Sequence, residues 1–279
     1  MASDASELRE VLESGRAMLF TGAGFSSAAQ DVHGGCIPTS EAIAKEIWDI
    51  CFPGESPDES ALQDLFHHAA RHYPERLEAL LRRRLRVDEA TLPSFYARWF
   101  QVPWRRVWTL NVDDIELAAA RRFQMERRVR AFSALTHPFD AMLLEHPDEL
   151  PVIHLNGLLD EGIHHVTFST TQYGTRLAKH DPWYARFVDD LVESPFIIVG
   201  TRLDEAPFWQ HLQHGYGARM NGRNRLCRAW IVSPKLTRAR RALLENLGME
   251  WIPISAEEFA QKVLAPPLRR AEPTAGILV

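Results

Sequence analysis

Short apolar runs alternate with longer amphipathic segments along this chain, and this alternation predicts its fold. The five clearest runs cover residues 17–21, 106–110, 152–155, 196–199 and 229–232, and a weaker one covers 251–254. Several are nearly continuous in apolar residues, as expected for strands buried on both faces of a parallel sheet. Each run is followed by Gly, Asn, Ser or Pro and then by a helical pattern. We therefore predict an α/β fold with a Rossmann-like doubly wound parallel sheet.

One region, from about residue 39 to 101, interrupts this rhythm and contains no convincing strand. Its pattern predicts four helices, at residues 42–51, 60–71, 74–86 and 92–100, and Thr39-Ser40-Glu41 can cap the first. A plain crossover needs only ~10–15 helical residues, so we predict an inserted all-helical module within a domain spanning 1–265. Long crossover helices are the alternative. Residues 266–279 contain Pro266-Pro267 and are predicted to be a linker or tail, with a further module or a partner beyond it.

Composition limits the class of protein. The 32 Lys and Arg against 37 Asp and Glu leave a net charge of −5, which does not suggest direct nucleic-acid binding. Two basic stretches, 82–86 and 121–130, are interpreted as solvated helix faces, with a partner-docking surface as the alternative. The three cysteines have no Cys-x-x-Cys spacing, so we predict no zinc ribbon and no disulfide framework. A reducing cytoplasm, with neither a signal peptide nor a membrane span, is the expected location.

The first predicted strand runs into a glycine-containing turn, Gly22-Ala23-Gly24-Phe25-Ser26. Glycines after a strand allow the backbone to approach a pyrophosphate, and exposed amides there supply hydrogen-bond donors. A tight strand-to-helix turn without a ligand is the alternative, because Gly-x-Gly alone is a weak motif.

Polar residues follow the other predicted strands. Asn111, Asp113 and Asp114 follow the second strand, His154 and Asn156 surround the end of the third, and Gly200-Thr201 and Ser233 follow the next two. Parallel strands would bring these residues to one crevice. Alternation places Asn111 and Asp113 on one side, whereas Asp114 is expected to cap the following helix.

Four segments in this order resemble the sirtuin-like (Sir2-type) family, in particular its bacterial, zinc-free members in anti-phage defence. They are Gly22-Ala23-Gly24-Phe25-Ser26, Thr109-Leu110-Asn111-Val112-Asp113, Phe168-Ser169-Thr170-Thr171-Gln172-Tyr173 and Gly200-Thr201-Arg202-Leu203-Asp204. The resemblance implies NAD as substrate or ligand and no metal. It assigns NAD contacts to Gly22, Ala23, Gly24, Phe25, Ser26, Asn111, Asp113, Gly200 and Thr201, and Ser233 is a further candidate for the adenosine ribose.

The chain departs from this family at the general base. The family has Leu-His-Gly where this chain has Leu155-Asn156-Gly157, and an Asn side chain does not accept a proton near neutral pH. His154, two residues earlier, could face the crevice and relay a proton through water, or it could pack inside as a hydrogen-bonded core residue. Native loss of the base and an engineered substitution at Asn156 are both open.

We therefore expect an NAD glycohydrolase that releases nicotinamide and ADP-ribose as a defence effector. Its expected catalytic residues are Asn111, Asp113, His154 and Asn156. A catalytically silent module that binds NAD or ADP-ribose is the alternative, supported by Asn156, and an NAD-dependent protein deacylase is the third hypothesis. Homo-oligomers, a partner defence protein or a C-terminal module are the expected partners.

Overall fold

The computed structural model describes residues 2–178, 181–203, 208–213 and 227–264. Within them, seven strands form one sheet in which every pair is parallel, in the order β3-β4-β2-β1-β5-β6-β7. The strands are β1 Met18–Thr21, β2 Arg106–Thr109, β3 Arg128–Ser133, β4 Glu149–His154, β5 Phe196–Val199, β6 Ala229–Val232 and β7 Met249–Ile252. The predicted α/β Rossmann-like fold is confirmed.

Helices cover both faces of the sheet. They are α1 Ala2–Glu13, α2 Ala23–Ser26, α3 Ser40–Cys51, α4 Leu62–His72, α5 Pro74–Leu85, α6 Phe95–Gln101, α7 Ile115–Phe123, α8 Thr170–Leu177, α9 Pro182–Glu193, α10 Arg238–Asn246 and α11 Ala256–Lys262. Short 3-10 turns occupy Glu89–Thr91, Ala141–Leu144, Leu159–Glu161 and Ile163–His165. No helix in the described ranges is long and apolar enough to cross a bilayer.

Alternation along the strands divides the core into two layers. In β1, Leu19 packs into a large cluster with helices α3 to α7, whereas the next residue, Phe20, packs into a second cluster with α9 and α10. Both side chains are fully buried. A sheet covered on both faces explains why the strand sequences are nearly continuous in apolar residues.

The interrupting region is helical, as predicted. Residues 39–101 contain α3 to α6 and one 3-10 turn, and the Thr39 side chain accepts a hydrogen bond from the Ala42 amide at the start of α3. Pro74 occupies the first turn of α5, where its missing N–H costs nothing. The boundary of an inserted module stays a prediction, and the predicted tail, 266–279, lies outside the described residues.

Strand β3 was not expected. The sequence pattern over residues 121–130 predicts a basic helix face, but α7 ends at Phe123 and β3 begins at Arg128. Arg128 and Arg130 alternate along this edge strand, and both form ion pairs with Glu149 of β4. Pairing with that buried carboxylate explains how arginines occupy a strand here. The last strand also differs, because β7 ends before Pro253 instead of including it.

The chain changes direction across the sheet at β1 and β5. The connection after β1 leads to β2 on one side, whereas the connection after β5 leads to β6 on the other. Loops that diverge from adjacent parallel strands leave a crevice at the carboxyl edge of the sheet. The polar residues singled out in the sequence follow the strands at this edge.

Candidate functional site

A cavity of about 910 Å³ lies at the carboxyl edge of the sheet, within the size range of small-molecule sites. The strand ends supply one wall, which is called the sheet-edge wall here. Its residues are Ala23, Gly24, Asn111, Asp113, Asn156, Gly200, Thr201 and Ser233. Helices α3 to α5 supply the opposite, helical wall, whose apolar residues are Ile43, Ile47, Trp48, Leu62, Leu65, Phe66, Leu81 and Leu85. Phe168 and Tyr173 of the fourth sequence segment also contact the cavity.

The glycine turn packs directly on the loop after β5. The amides of Gly22 and Gly24 donate to the carbonyls of Val199 (3.0 Å) and Gly200 (2.8 Å). A Cβ at Gly200, where φ is +75°, would lie 2.1 Å from the Phe25 nitrogen. The amides of Gly22 and Gly24 are therefore engaged within the protein and are not free donors for a phosphate. These glycines are required because two loops meet without room for side chains.

Only part of this turn reaches the cavity. Ala23, Gly24 and Ser27 line it, whereas Gly22, Phe25 and Ser26 lie behind. The Phe25 ring is 1% exposed and packs edge-on against the rings of Tyr96, Trp99 and Phe100. Phe25 therefore anchors the turn to α6, and Ser27, which the sequence analysis did not single out, is on the cavity surface.

Asn111 is held by hydrogen bonds from its main chain and its side chain. Its side-chain amide nitrogen donates to the Gly22 carbonyl (3.1 Å) and the Ser26 hydroxyl (3.0 Å). Its backbone amide donates to the Thr109 hydroxyl (3.0 Å). Because the Gly22 carbonyl can only accept, the orientation of the Asn111 amide is fixed. The residue is 6% exposed and forms part of the cavity wall.

Asp113 is a buried carboxyl on the same wall. Its side chain is hydrogen-bonded to the Ser26 hydroxyl and to the Ile115 amide (3.3 Å), and burial raises its pKa to about 7. A carboxyl that titrates near neutral pH inside a cavity has the character of a functional group. Asn111 and Asp113 both line the cavity, but so do Leu110 and Val112, so the predicted alternation does not by itself select the two polar residues.

Asp114 does not cap α7 with its side chain, contrary to expectation. It occupies the position before the helix, but no side-chain capping bond forms. Its carboxylate accepts instead from the Val87 amide (2.9 Å). Asp114 thus ties the chain after α5 to the start of α7, and it is not among the residues that line the main cavity.

His154 lies behind the sheet-edge wall and not on it. The ring is 1% exposed, and its Nδ1 lies 2.9 Å from the Asn111 carbonyl. Burial lowers its pKa to about 4, so the ring is neutral at physiological pH. The expected surface position for a water relay is not observed among the cavity-lining residues. The alternative weighed from the sequence, a buried and hydrogen-bonded histidine, matches this placement.

Glu116 is a buried acid near the site that no sequence motif indicates. It lies in the first turn of α7, is 1% exposed, and places Oε2 3.9 Å from the His154 Nε2. Burial raises its pKa well above the usual range, and the nearby charge of Asp113 acts in the same direction. The signal that identifies it is an acidic residue in the first turn of the helix that follows Asp113.

Asn156, at the position where the family resemblance implies a base, lines the cavity. Its amide nitrogen donates to the Leu110 carbonyl (2.9 Å). Its amide oxygen is buried and has no hydrogen-bond partner among the described residues. Buried polar atoms are normally paired. Asn156 therefore presents an unused acceptor, with its orientation fixed by Leu110.

The far end of the sheet-edge wall follows β5 and β6. The Thr201 hydroxyl accepts from the Leu203 amide (2.9 Å), and the Ser233 hydroxyl donates to the Lys235 carbonyl (3.0 Å). Across the cavity mouth, Arg202 lies 3.4 Å from Glu41 of α3. Asp204, the last residue of its sequence segment, lies outside the described residues. Within the described ranges, no group of three or more His, Cys, Asp or Glu side chains is placed to hold a metal ion.

Comparison with known proteins identifies one family. Residues 105–252, just over half of the chain, match the family described as SIR2-like domain. No curated protein matches the chain. The matched segment runs from the start of β2 to the end of β7 and contains Asn111, Asp113, Asn156, Thr201 and Ser233 of the sheet-edge wall. The chain therefore belongs to the SIR2-like domain family.

Proposed function

We propose that this protein cleaves NAD to nicotinamide and ADP-ribose and acts as the effector of a bacterial anti-phage defence system. Family membership implies NAD as substrate or ligand. The observation that carries the proposal is the convergence of Asn111, Asp113 and Asn156 on one cavity at the switch point of the sheet. These three side chains can hold a polar ligand and stabilise a positive charge without a metal.

The cavity suits a dinucleotide in size and polarity. The polar side chains of its sheet-edge wall follow β2, β4, β5 and β6, and its opposite wall is mainly apolar, as is usual for sites that enclose a ligand while a few polar groups orient it. We assign the nicotinamide end to Asn111, Asp113 and Asn156, and the adenosine end to Gly200, Thr201 and Ser233. Gly22, Phe25 and Ser26 support this wall from behind.

The reaction needs charge stabilisation more than it needs a strong base. Breaking the bond between nicotinamide and ribose develops positive charge on the ribose, so groups that favour this charge accelerate the reaction. Asp113 supplies a carboxylate once its proton has left. The fixed amide of Asn111 positions the ribose or the attacking water.

Asn156 gives the second candidate function its support. Its free amide oxygen can accept a hydrogen bond from a ribose hydroxyl or a water, but it cannot remove a proton. An NAD- or ADP-ribose-binding module without turnover would use the same contacts. Protein deacylation is the least supported reaction, because it relies on the base that Asn156 replaces.

The test is NAD consumption by the purified full chain, with nicotinamide quantified over time. Asn111→Ala is expected to lose turnover, whereas Asn246→Ala, an exposed change at the end of α10, is expected to retain it. Loss of NAD that Asn111→Ala does not affect would refute the assigned site. NAD binding by calorimetry without turnover would establish the silent module, and Asn156→His would then be expected to create hydrolysis. NAD-dependent removal of an acyl group from a peptide would revive the third hypothesis.

Assembly and partners complete the proposal. We propose that the protein works in the bacterial cytoplasm as a homo-oligomer, or with a partner defence protein or C-terminal module, and that this assembly releases its activity. Light scattering alongside the NAD assay over a dilution series tests this point, because activity that requires assembly falls faster than protein concentration.

A further inference from the structure

Behind the sheet-edge wall lies a buried acid for which the described part of the chain offers no side-chain hydrogen-bond donor. Glu116 is 1% exposed, and neither carboxyl oxygen has a hydrogen-bond partner among the described residues. An ionised carboxylate without donors or a cation is strongly disfavoured in a protein interior. The neighbouring Asp113 also disfavours a second negative charge. Both considerations point to a protonated Glu116.

The same geometry determines which ring nitrogen of His154 carries a proton. Its Nδ1 contacts the Asn111 carbonyl at 2.9 Å, and a carbonyl can only accept, so Nδ1 carries the hydrogen. In a neutral ring, Nε2 then presents a lone pair. That lone pair faces the Glu116 Oε2 at 3.9 Å. An ionised Glu116 would oppose a lone pair with a negative charge, whereas a protonated one presents its O–H dipole.

The charge of the two neighbouring acids then resides on Asp113. Asp113 has two donors, the Ser26 hydroxyl and the Ile115 amide, whereas Glu116 has no side-chain donor in the described ranges. Hydrogen bonds to a carboxylate favour its ionised form. The cavity-lining acid is therefore the one that ionises, and the hidden acid keeps its proton.

We propose that Glu116 is a positioning residue: it remains protonated, holds His154 in the Nδ1–H tautomer, and thereby fixes the Asn111 main chain at the cavity. The chain of contacts runs from the Glu116 carboxyl through the His154 ring to the Asn111 carbonyl. Asn111 then directs its side chain to Gly22 and Ser26. This inference rests on the proposed function only where it gives Asn111 a part in the reaction.

Its first test needs no NAD and therefore does not depend on the proposed function. The infrared difference spectrum between the unmodified protein and Glu116→Gln at neutral pH is expected to contain the carbonyl stretch of a protonated carboxylic acid. Nitrogen NMR, with His154→Gln to assign the signal, is expected to show Nδ1 protonated and Nε2 bare. A carboxylate band in place of the acid band, or an Nε2–H tautomer, would overturn the proposal.

The second test distinguishes a positioning role of the Glu116 carboxyl group from an effect of its volume alone. Glu116→Gln keeps an N–H donor towards Nε2, whereas Glu116→Met keeps the volume and removes the donor. We expect Glu116→Gln to retain kcat and the pH profile, and Glu116→Met to lower kcat by about tenfold with little change in KM, because the polar group that faces Nε2 at 3.9 Å is lost. Equal loss in both variants would mean that Glu116 acts as an ionised base and would overturn the proposal. If Glu116→Met does not fold, the infrared and NMR spectra and the kcat of Glu116→Gln test the proposal instead.

Discussion

The two walls of the cavity are held in different ways. On the sheet-edge wall, Asn111, Asp113 and Asn156 are at least 94% buried, and their side chains are hydrogen-bonded to nearby backbone or hydroxyl groups. The helical wall presents mainly apolar side chains from α3 to α5, and its rim, residues 57–61, is exposed. Polar atoms fixed by strand ends can orient a ligand and its charges, whereas an apolar wall can only enclose it. Chemistry and enclosure are therefore supplied by separate regions.

The family match follows the same division. Residues 105–252 include β2 to β7 and most of the sheet-edge wall, whereas α3 to α5 precede this segment. If the walls have separate tasks, substitutions on the sheet edge should change rate or fold, and those on the helical wall should change affinity alone.

The largest effect is expected at Asp113. Its pKa of about 7 means that the carboxylate forms as the pH rises, so nicotinamide release should increase between pH 6 and 8. Asp113→Asn should lower the rate on the order of 100-fold, as for loss of one preorganised electrostatic contact, and should flatten the profile. The measurement is kcat/KM against pH for both proteins.

The pH dependence of folding stability provides a control, because protonation of Asp113 favours stability whereas its ionisation favours activity. An acid whose pKa is raised on folding stabilises the protein at low pH, and this contribution is lost as pH rises from about 4 towards 7. The lowered pKa of His154 has the opposite effect, because it raises stability as the pH rises from about 4 to 6.5. The difference between the unmodified protein and Asp113→Asn is therefore the quantity to follow by denaturant unfolding. An activity profile that remains unchanged in Asp113→Asn would assign the titration to another group.

The next effect concerns the contact between the two loops of the sheet edge. Gly200→Ala introduces a Cβ 2.1 Å from the Phe25 nitrogen at a φ of +75°, so we expect a loss of about 3 kcal/mol in the free energy of unfolding. Gly174→Ala, in α8 with open space around the glycine, is the matched control and should be neutral or slightly stabilising. Equal unfolding midpoints for the two variants would show that the loops do not meet as described.

These contacts also mark what the sequence could predict. The apolar runs 17–21, 106–110 and 196–199 predicted β1, β2 and β5 because strands buried on both faces have little choice of residue. Strand β3 was missed because Arg128 and Arg130 resemble a helix surface until their partner Glu149 is known. An edge strand depends on a long-range ion pair that no local pattern contains.

The candidate site shows the same limit. Strand ends predicted which residues approach the crevice, and Asn111, Asp113 and Asn156 do line it. The sequence could not show that the amides of Gly22 and Gly24 are hydrogen-bonded to the end of β5 and the loop after it. Nor could it show that the ring of His154 is buried behind the cavity wall, against the Asn111 carbonyl. Both outcomes depend on side-chain and loop packing between distant segments, which periodicity does not encode.

A smaller effect is expected on the helical wall. Leu62 of α4 is half-buried and lines the cavity. Leu62→Ala removes apolar contact from the enclosing wall, so we expect KM to rise by less than about tenfold with kcat unchanged. Leu243→Ala, an exposed leucine on α10, is the control. A fall in kcat for Leu62→Ala would contradict the division between the walls, because it would give the helical wall a part in the chemistry.

The smallest effect is expected where the two walls meet at the cavity mouth. Arg202 and Glu41 form an ion pair across the rim, and their side chains are 58% and 71% exposed. Exposed pairs contribute about 0–1 kcal/mol and are screened by salt, so Glu41→Gln should change KM by no more than about fivefold, with a smaller change at high ionic strength. Glu10→Gln, an exposed change on α1, serves as the control. A larger, salt-independent change would mean that the pair closes the cavity over its ligand, and enclosure would then depend on the sheet-edge loop as well as on the helices.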